Sequence, residues 1–368
     1  MKKTLALLLT LAMSVSVLAG CSGTAVVEKE NTNTETSTQG STEVAEGTET
    51  TGTKADGTSA STSEARPVKT GLSVTTALSG TDATAEAAGT AQADITIVAV
   101  TVDADGKINS CVIDQIQGKN TFSTTGEITT EETAFLSKNE LGADYGMVAW
   151  GGAIAEWDAQ AAALAEYVVG KTAEEVKGIA IAEGGKAGDA DLAASATMAI
   201  AGFIDPIVAA VNNAQDLGAA HWDTLQLVSV TTPSDNASAT ADKAGTASAY
   251  ATVAAVTTHY DEITSCMIDA VQANVTFDAA GKITADLTAP VATKNEKGAD
   301  YGMVAWGGAI AEWNEQAASF AKYVTGKTIS EVAGIAVDEA GKTTDADLLS
   351  SVTIKIGDFK TLIGKLEQ

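Results

Sequence analysis

The residues best suited to chemistry stand in two seven-residue segments, 191–197 (DLAASAT) and 347–353 (DLLSSVT). Each segment ends in a threonine, Thr197 or Thr353, that comes just before a predicted helix. A hydroxyl at a helix N-terminus lies where backbone N–H groups and the positive end of the helix dipole converge, so a phosphate esterified there would be stabilised without arginine. Arg66 is the only arginine in the sequence, which fits this arrangement. The alternative is that both threonines only cap the helices that follow them.

The two segments are parts of one sequence repeat. Residues 142–157 (GADYGMVAWGGAIAEW) recur without change as residues 298–313, and an offset of 156 residues continues to the two threonines. This period is far longer than the roughly 20–50 residues of solenoids and propellers. The sequence therefore predicts two tandem homologous domains, residues 73–228 and residues 229–368.

The elements that must position the threonines can be identified in each copy. Residues 95–102 alternate and are rich in β-branched side chains, residues 103–106 are typical of a turn, and residues 107–116 resume the strand pattern, which predicts a hairpin. A helix is predicted next, because apolar side chains recur every three or four residues. Its apolar positions are Trp150, Ile154, Trp157, Ala161, Leu164 and Val168, matched by Trp306, Ile310, Trp313, Ala317, Phe320 and Val324. The predicted fold class is α+β, with an antiparallel sheet and packed helices in each domain.

Composition limits the partners and the extent of the folded part. The 368 residues include 48 acidic and 22 basic side chains, for a formal net charge of −26. Nucleic acid is excluded as a partner, because its binding requires clustered lysine and arginine side chains that displace counterions. Residues 21–72 consist largely of Thr, Ser, Glu and Gly, a composition that cannot repay the entropy of ordering. We therefore expect this segment to be a disordered tether.

The N-terminus has the pattern of a secretory signal peptide over residues 1–20. Lys2 and Lys3 precede an apolar run, and the sequence LAGC follows and ends at Cys21. This ending resembles the lipobox of bacterial lipoproteins, which implies cleavage before Cys21 and attachment of diacylglycerol to its sulfur. An ordinary secretory signal with a chance cysteine is the alternative. Lipidation at Cys21 predicts an anchor on the extracellular face of the cell membrane.

The pattern Asp-x-x-Ser/Thr-Gly/Ser-Ala/Val-Thr, which residues 347–353 match in full and residues 191–197 match except at one position, resembles the flavinylation motif of the FMN-binding domain family. That family includes a flavinylated component of the sodium-pumping NADH:quinone reductase, in which a magnesium-dependent flavin transferase moves FMN from FAD to the last threonine. The resemblance implies covalent FMN, held as a phosphoester, on Thr197 and Thr353. Ser195 and Ser351 stand where those relatives have glycine, and Ala194 replaces a hydroxyl residue. The second copy is therefore the better match.

The combination of lipobox, tether and two such domains is similar to the flavinylated lipoproteins of Gram-positive extracellular electron transfer. It implies that Asp191 and Asp347 belong to the motif that the transferase recognises, although both are also good helix N-caps. A flavin ring is flat and apolar with polar edges, so it needs stacking surfaces and close backbone approach. The alternative for tryptophan at helical spacing is a place in the core. Residues that offer such surfaces are Tyr145, Met147, Trp150, Tyr301, Met303 and Trp306.

The remaining histidines and cysteines point to packing. His221 and His259 are the only histidines and stand at non-equivalent places, so we interpret them as surface or boundary residues. Cys111 and Cys266 occupy equivalent strand positions, one in each copy, and are interpreted as buried thiols. The sequence contains no recognisable Ser/His/Asp arrangement, Walker loop or dinucleotide-binding turn.

The resemblance implies a redox carrier rather than an enzyme. Two covalent FMN groups would accept electrons from a membrane electron donor and pass them to soluble or mineral electron acceptors, and a separate flavin transferase would attach them. A surface binding or display lipoprotein without flavin is the alternative, in which the duplicated domains would increase avidity. No metal site is predicted. A flavin reductase is less well supported, since no histidine, arginine or acid pair indicates a dedicated substrate site.

Overall fold

The computed structural model describes residues 64–367 of the chain. The predicted signal peptide, Cys21 and most of the predicted tether lie outside the described residues. The described residues belong to one compact unit. Within the part that is described, no helix is both long and apolar enough to cross a membrane.

Each copy of the repeat forms a three-stranded antiparallel sheet from strands rich in β-branched residues. The strands are β1 (Lys69–Thr81), β2 (Gly89–Val102) and β3 (Ile108–Phe122), followed by β4 (Thr224–Thr232), β5 (Gly245–His259) and β6 (Glu262–Phe277). Their order is β1-β2-β3 in one sheet and β4-β5-β6 in the other. The predicted hairpin corresponds to β2 and β3, which pair along almost their whole length.

The helices follow the third strand of each copy. In the first copy they are α1 (Lys138–Leu141), α2 (Met147–Gly151), α3 (Trp157–Val168), α4 (Ala173–Lys177), α5 (Ala190–Ser195) and α6 (Ala201–Asn212). In the second copy they are α7 (Lys294–Lys297), α8 (Met303–Gly307), α9 (Trp313–Val324), α10 (Ile329–Ala333), α11 (Ala346–Leu349) and α12 (Gly357–Gly364). Short 3-10 turns occur at Gly142–Tyr145, Glu183–Gly185, Gly298–Tyr301 and Lys365–Glu367. Helices together with antiparallel sheets confirm the predicted α+β class.

The two sheets lie back to back between two layers of helices. On the outer face of the first sheet, Val98 packs with Leu164 of α3 and Ile207 of α6. The second copy has an equivalent outer core. The inner faces of both sheets share a third core, in which Ile97 of β2 and Val253 of β5 are completely buried. The central strands are therefore covered on both faces and buried over most of their length.

Backbone hydrogen bonds also join the two copies, and they are reciprocal. The Ala83 N–H donates to Gly281 O at 2.8 Å, and the equivalent Ala239 N–H donates to Gly126 O at 2.7 Å. In each case the loop after the first strand of one copy meets the turn after the third strand of the other. Such reciprocal contacts are typical of an isologous interface between identical subunits.

The strands shift two of the predicted boundaries. β1 begins at Lys69, so residues 69–72 belong to the first sheet rather than to a tether over residues 21–72. β4 crosses the predicted border between residues 228 and 229 and pairs along its length with β5. Because β4 pairs with β5 from its first residue, the sheet of the second copy begins at Thr224.

Candidate functional site

Thr197 lies between α5 and α6, where a buried glutamine holds it. The Oε1 atom of Gln160, on α3, accepts hydrogen bonds from the Thr197 N–H at 2.8 Å, the Thr197 hydroxyl at 3.2 Å and the Met198 N–H at 2.9 Å. The Gln160 Nε2 group donates to Ala155 O at 2.8 Å. The N-cap of α6 is Ile200, so Thr197 does not cap that helix. Its hydroxyl is held by one long hydrogen bond in a half-buried residue.

The second copy repeats this geometry at Thr353. The Oε1 atom of Gln316, on α9, accepts from the Thr353 N–H at 2.8 Å, the Thr353 hydroxyl at 3.2 Å and the Ile354 N–H at 3.2 Å. The N-cap of α12 is Ile356, so this threonine is not a cap either. Both threonines therefore precede their helices by several residues, whereas the sequence predicted them at the helix entrance.

The helices that follow the threonines start without a side-chain cap. The N-caps Ile200 and Ile356 offer no side-chain acceptor, so the first-turn N–H groups have no side-chain partner, although the Phe203 N–H donates to Ile200 O at 2.9 Å. In the second copy, Lys342 and Lys355 form a backbone bridge next to this start. The equivalent pair in the first copy is Lys186 and an alanine. The second copy thus has one more lysine at these positions, but it also carries Asp358 in the first turn of α12, where the first copy has Gly202.

Asp191 and Asp347 do not cap their helices. The caps of α5 and α11 are Asp189 and Asp345, whose Oδ1 atoms accept two backbone N–H groups each at 3.0–3.1 Å. Asp191 and Asp347 lie two residues after these caps, in the first turn, and are exposed. Their carboxylates face solvent, which leaves them accessible to a modifying enzyme.

The motif serines close the turn before each threonine. The Ser195 hydroxyl donates to Leu192 O at 3.3 Å, and the Ser351 hydroxyl donates to Leu348 O at 3.3 Å. A glycine at these positions could not form this hydrogen bond. The two serines therefore add a local contact that a glycine would lack.

The short helix α2 presents Trp150 to solvent with 89% of its surface exposed. Gly146 and Gly152 bound the helix with φ angles of 78° and 63°, in the left-handed region that favours glycine. The Glu156 carboxylate accepts the first two N–H groups of α2 at 2.8 and 3.1 Å. The Trp150 ring packs on Gly146, where a Cβ would lie 2.0 Å from the ring. The indole is therefore a supported stacking surface.

The predicted helix that runs on to Val168 is interrupted. The left-handed Gly152 ends α2, and α3 begins only at Trp157. The first tryptophan and Ile154 therefore face solvent, while the buried stripe runs from Trp157 onward. The second copy breaks in the same way and leaves Trp306 89% exposed. The core interpretation of these two tryptophans is thus wrong.

The other predicted ring contacts are half-buried. Tyr145 and Met147 pack against the outer core of the first copy, as Tyr301 does in the second. The Tyr145 hydroxyl donates to Gln117 Oε1 at 3.1 Å. Met303 occupies the position equivalent to Met147. Each copy therefore offers one exposed and two half-buried candidate surfaces for a ring.

Three residues per copy were not predicted from the sequence. In the first copy they are Gln160, which holds the threonine, Glu156, which caps α2, and the buried Lys138 at the start of α1. Gln160 could have been found, because it is a polar residue three positions after Trp157 on a face that is otherwise apolar. The counterparts in the second copy are Gln316, Glu312 and Lys294.

The histidines and cysteines do not form part of this site. The His259 Nδ1 atom lies 3.3 Å from Asp223 Oδ1, and His221 accepts the Arg66 N–H at 3.3 Å. Cys111 and Cys266 are free thiols, and burial raises the pKa of both to about 12. Among the described residues no cluster of histidine, cysteine or acidic side chains could hold a metal ion.

Comparisons of the chain with protein-family models, with curated proteins and with solved structures found no match. The function is therefore inferred from the residues themselves.

Proposed function

We propose that this protein is an extracellular electron carrier that binds FMN covalently at Thr197 and Thr353, in two tandem homologous domains. The observation that supports this most is a repeated arrangement of three parts. In each copy a threonine is held by one buried glutamine, an uncapped helix follows, and an exposed tryptophan stands on a short supported helix.

The threonine surroundings fit a phosphoester. Esterification of the Thr353 hydroxyl would remove its one long hydrogen bond, while the Gln316 Oε1 atom keeps both backbone N–H donors. The N–H groups of the uncapped α12 and the nearby Lys342 and Lys355 would balance the phosphate charge. In the first copy, Gln160 Oε1 would likewise keep both backbone N–H donors after esterification of Thr197. Of the two lysine positions, only Lys186 is a lysine in that copy.

The aromatic residues fit a flat ring. The start of α3 connects these aromatic residues to the threonine. In the first copy Glu156, the N-cap of α3, accepts the first N–H groups of α2, and Gln160, one helical turn later, holds Thr197. Bound FMN would supply the redox chemistry. The chain would hold its phosphate at Thr197, offer Trp150 and Tyr145 as ring surfaces, and keep water from the apolar side of the site.

Location and partners follow from the same proposal. A lipid on Cys21 would anchor the protein to the outer face of the cell membrane, close to a membrane electron donor. A flavin transferase would recognise the motif at the exposed Asp191 and Asp347. Soluble or mineral acceptors would take the electrons, a role that needs no dedicated substrate site and no enzyme activity.

A second candidate is a surface binding lipoprotein without flavin. The exposed Trp150 and Trp306 favour it, because a solvent-facing tryptophan on a rigid support also suits a planar or carbohydrate-like ligand. Two identical platforms in one chain would increase avidity. The experiment below separates this candidate from the carrier.

The test is the intact mass of the protein produced together with a flavin transferase. We expect two FMN additions in the wild-type protein, one in Thr197→Ala or Thr353→Ala, and none in the double variant. Flavin fluorescence should stay with the polypeptide after denaturation. If only one site is modified, we expect Thr353, because residues 347–353 match the flavinylation motif better than residues 191–197.

Thr325→Ala is the matched control, since Thr325 is a half-buried threonine that only bonds Ala321 O at the end of α9. It should carry the wild-type mass. An unmodified wild-type protein, in the presence of an active transferase, would contradict the carrier and leave the binding module.

A further inference from the structure

Lys138, at the start of α1, is buried without an acidic partner. The residue is 6% exposed, and within residues 64–367 its ammonium group forms no salt bridge. The Nζ atom donates to Gln115 Oε1 at 2.6 Å and lies 4.6 Å from the ring centre of Tyr145 and 5.0 Å from that of Trp157. Burial of a cation without a counter-charge is costly, and aromatic faces offset only part of the cost.

The second copy keeps the same buried cation at Lys294, which is 5% exposed. Its Nζ atom donates to the Tyr250 hydroxyl at 2.9 Å and lies 4.7 Å from the ring centres of Tyr250 and Tyr301 and 4.9 Å from that of Trp313. Burial lowers the pKa of Lys294 to about 8. The charged groups that act on it are Asp235, Lys297, Asp358 and Asp269.

The lysine is retained although its hydrogen-bond partner has changed. Gln115 pairs with Thr96 across the first sheet, and the residue at the equivalent place in the second sheet is Ala270, opposite Thr252. Tyr250, from the neighbouring strand, supplies the lost acceptor. A recent duplication alone would have kept the partner as well, so the exchange indicates that the position of the cation matters.

The hydrogen bonds behind the neighbouring tyrosine have been exchanged in the same way. In the first copy Gln117 accepts from Tyr145 and donates to Asp94 on β2 at 3.0 Å. In the second copy Tyr250 stands in the place of Asp94, and Gln272 donates instead to Asp235, from the loop after β4, at 3.2 Å. Each copy thus contains a lysine, a tyrosine, a glutamine and an aspartate in this group. The aspartate comes from β2 in the first copy and from the loop after β4 in the second.

The buried cation lies close to the start of the helix that follows the threonine. In the first copy the ammonium group of Lys138 contacts Trp157, whose ring centre is 6.0 Å from that of Phe203 in the first turn of α6. The second copy repeats this through Lys294, Trp313 and Phe359, with 5.8 Å between the two rings in the first turn of α12. In each copy the buried lysine, the aromatic residues and the helix that follows the threonine segment therefore lie close together.

We propose that Lys138 and Lys294 are positioning residues that raise the redox potential of the flavin ring held in their own copy. This rests on the proposed function. Each lysine would place one positive charge beside the tyrosine that borders the ring, Tyr145 or Tyr301. The aromatic cage fixes that charge, and within the described part no carboxylate forms a salt bridge with it.

The charge balance gives the direction of the effect. Two electrons from an external reductant such as dithionite, with one proton from water, leave one negative charge on a ring that was neutral when oxidised. A fixed positive charge stabilises that product relative to the oxidised ring, more strongly in a poorly hydrated site than in water. The potential is therefore higher with the lysine than without it.

The test uses the Thr197→Ala protein, in which only the second copy can carry FMN. Its mass first establishes that Thr353 is modified, which tests the proposed function separately. Lys294→Met keeps the length and apolar stem of the side chain and removes the charge. We expect the equilibrium constant for two-electron reduction to fall at least tenfold, which corresponds to about 30 mV. In the Thr353→Ala protein, Lys138→Met should lower the potential of the first-copy flavin in the same way.

Lys322→Met, on the exposed face of α9, is the matched control and should leave the potential unchanged. Equal potentials in Lys294→Met and the control, in a protein that carries FMN, would overturn the inference and leave the carrier intact. Should Lys294→Met fail to fold, NMR titration of the Thr197→Ala protein decides instead. The pKa of Lys294 should be higher when the flavin is reduced, with Lys138 as the internal reference; an unchanged Lys294 pKa would contradict the proposal.

Discussion

At the scale of single residues, the buried amide of Gln316 determines how Thr353 is held. Gln316→Leu would leave the backbone N–H groups of Thr353 and Ile354 buried without an acceptor, at a cost of about 2–4 kcal/mol in the free energy of unfolding. Urea denaturation of the unmodified protein measures this loss. Flavin transfer to Thr353 should also slow, because the segment loses its anchor.

Ser319→Ala is the comparison for this change, since the same helix carries Ser319 on its exposed side. It should alter the stability by less than about 0.5 kcal/mol. Similar stabilities for the two variants would show that the glutamine is not what fixes the threonine segment.

At the scale of elements, the exposed tryptophan depends on the glycine before its helix. Gly302 has a φ of 82°, and a Cβ there would lie 2.1 Å from the Trp306 ring. Gly302→Ala should therefore displace the indole and cost about 1–2 kcal/mol through the left-handed backbone alone. Tryptophan fluorescence and acrylamide quenching would report the displacement. Gly307→Ala, in open space in the same helix, should change neither signal.

The buried Asp269 links β6 to the start of α7 and makes stability depend on pH. Its Oδ1 atom accepts from the Asn295 N–H at 3.1 Å, while burial raises the pKa of the carboxyl from 3.8 to about 6. Between about pH 4 and pH 6 the folded protein keeps a proton that the unfolded chain has released. The free energy of unfolding therefore falls as pH rises through this window.

Asp269→Asn should remove this contribution, about 2–3 kcal/mol between pH 4 and pH 7. Asp114 has the same raised pKa in the first copy, so the variant should keep the contribution of that residue to the pH dependence. Urea denaturation at several pH values measures it. An unchanged slope in Asp269→Asn would contradict the assignment.

The elements also show how far sequence reasoning extends. The alternation in residues 95–116 predicted the β2–β3 hairpin, because strand periodicity is set locally by the backbone. The prediction of one continuous helix through Trp150 was wrong. Apolar spacing indicates which residues could share a helix face, but it does not show that the left-handed Gly152 ends the helix before Trp157. The place of Thr197 depends on Gln160, a contact between distant segments that no local pattern reveals.

At the scale of the whole molecule, the repeat predicted two copies but not that they share a core. The alternation in residues 95–102 is typical of a strand with one exposed face. In the structure β2 is buried on both faces, because the second sheet covers its inner face. The stacked rings of Phe122 and Phe277, with centres 4.2 Å apart, join the copies where their third strands end. No spacing in the sequence predicts that such side chains meet, because they belong to different copies.

This shared core predicts that both copies unfold together. Gly118 of β3 lies against the second sheet, where a Cβ would come within 2.5 Å of the Ala249 Cβ. Gly118→Ala should push the sheets apart and cost about 1–3 kcal/mol by overpacking. Because the interface belongs to both copies, calorimetry should show a single transition that moves as a whole to lower temperature, with equal calorimetric and van't Hoff enthalpies.

Gly364→Ala, in open space at the end of α12, provides the comparison and should leave the transition near its wild-type temperature. Independent domains would behave differently: Gly118→Ala would then lower one of two transitions and leave the other in place. That result would mean that the back-to-back sheets contribute little to stability. A single shifted transition means that the two copies share one cooperative core, so that a destabilising change in either copy lowers the free energy of unfolding of both.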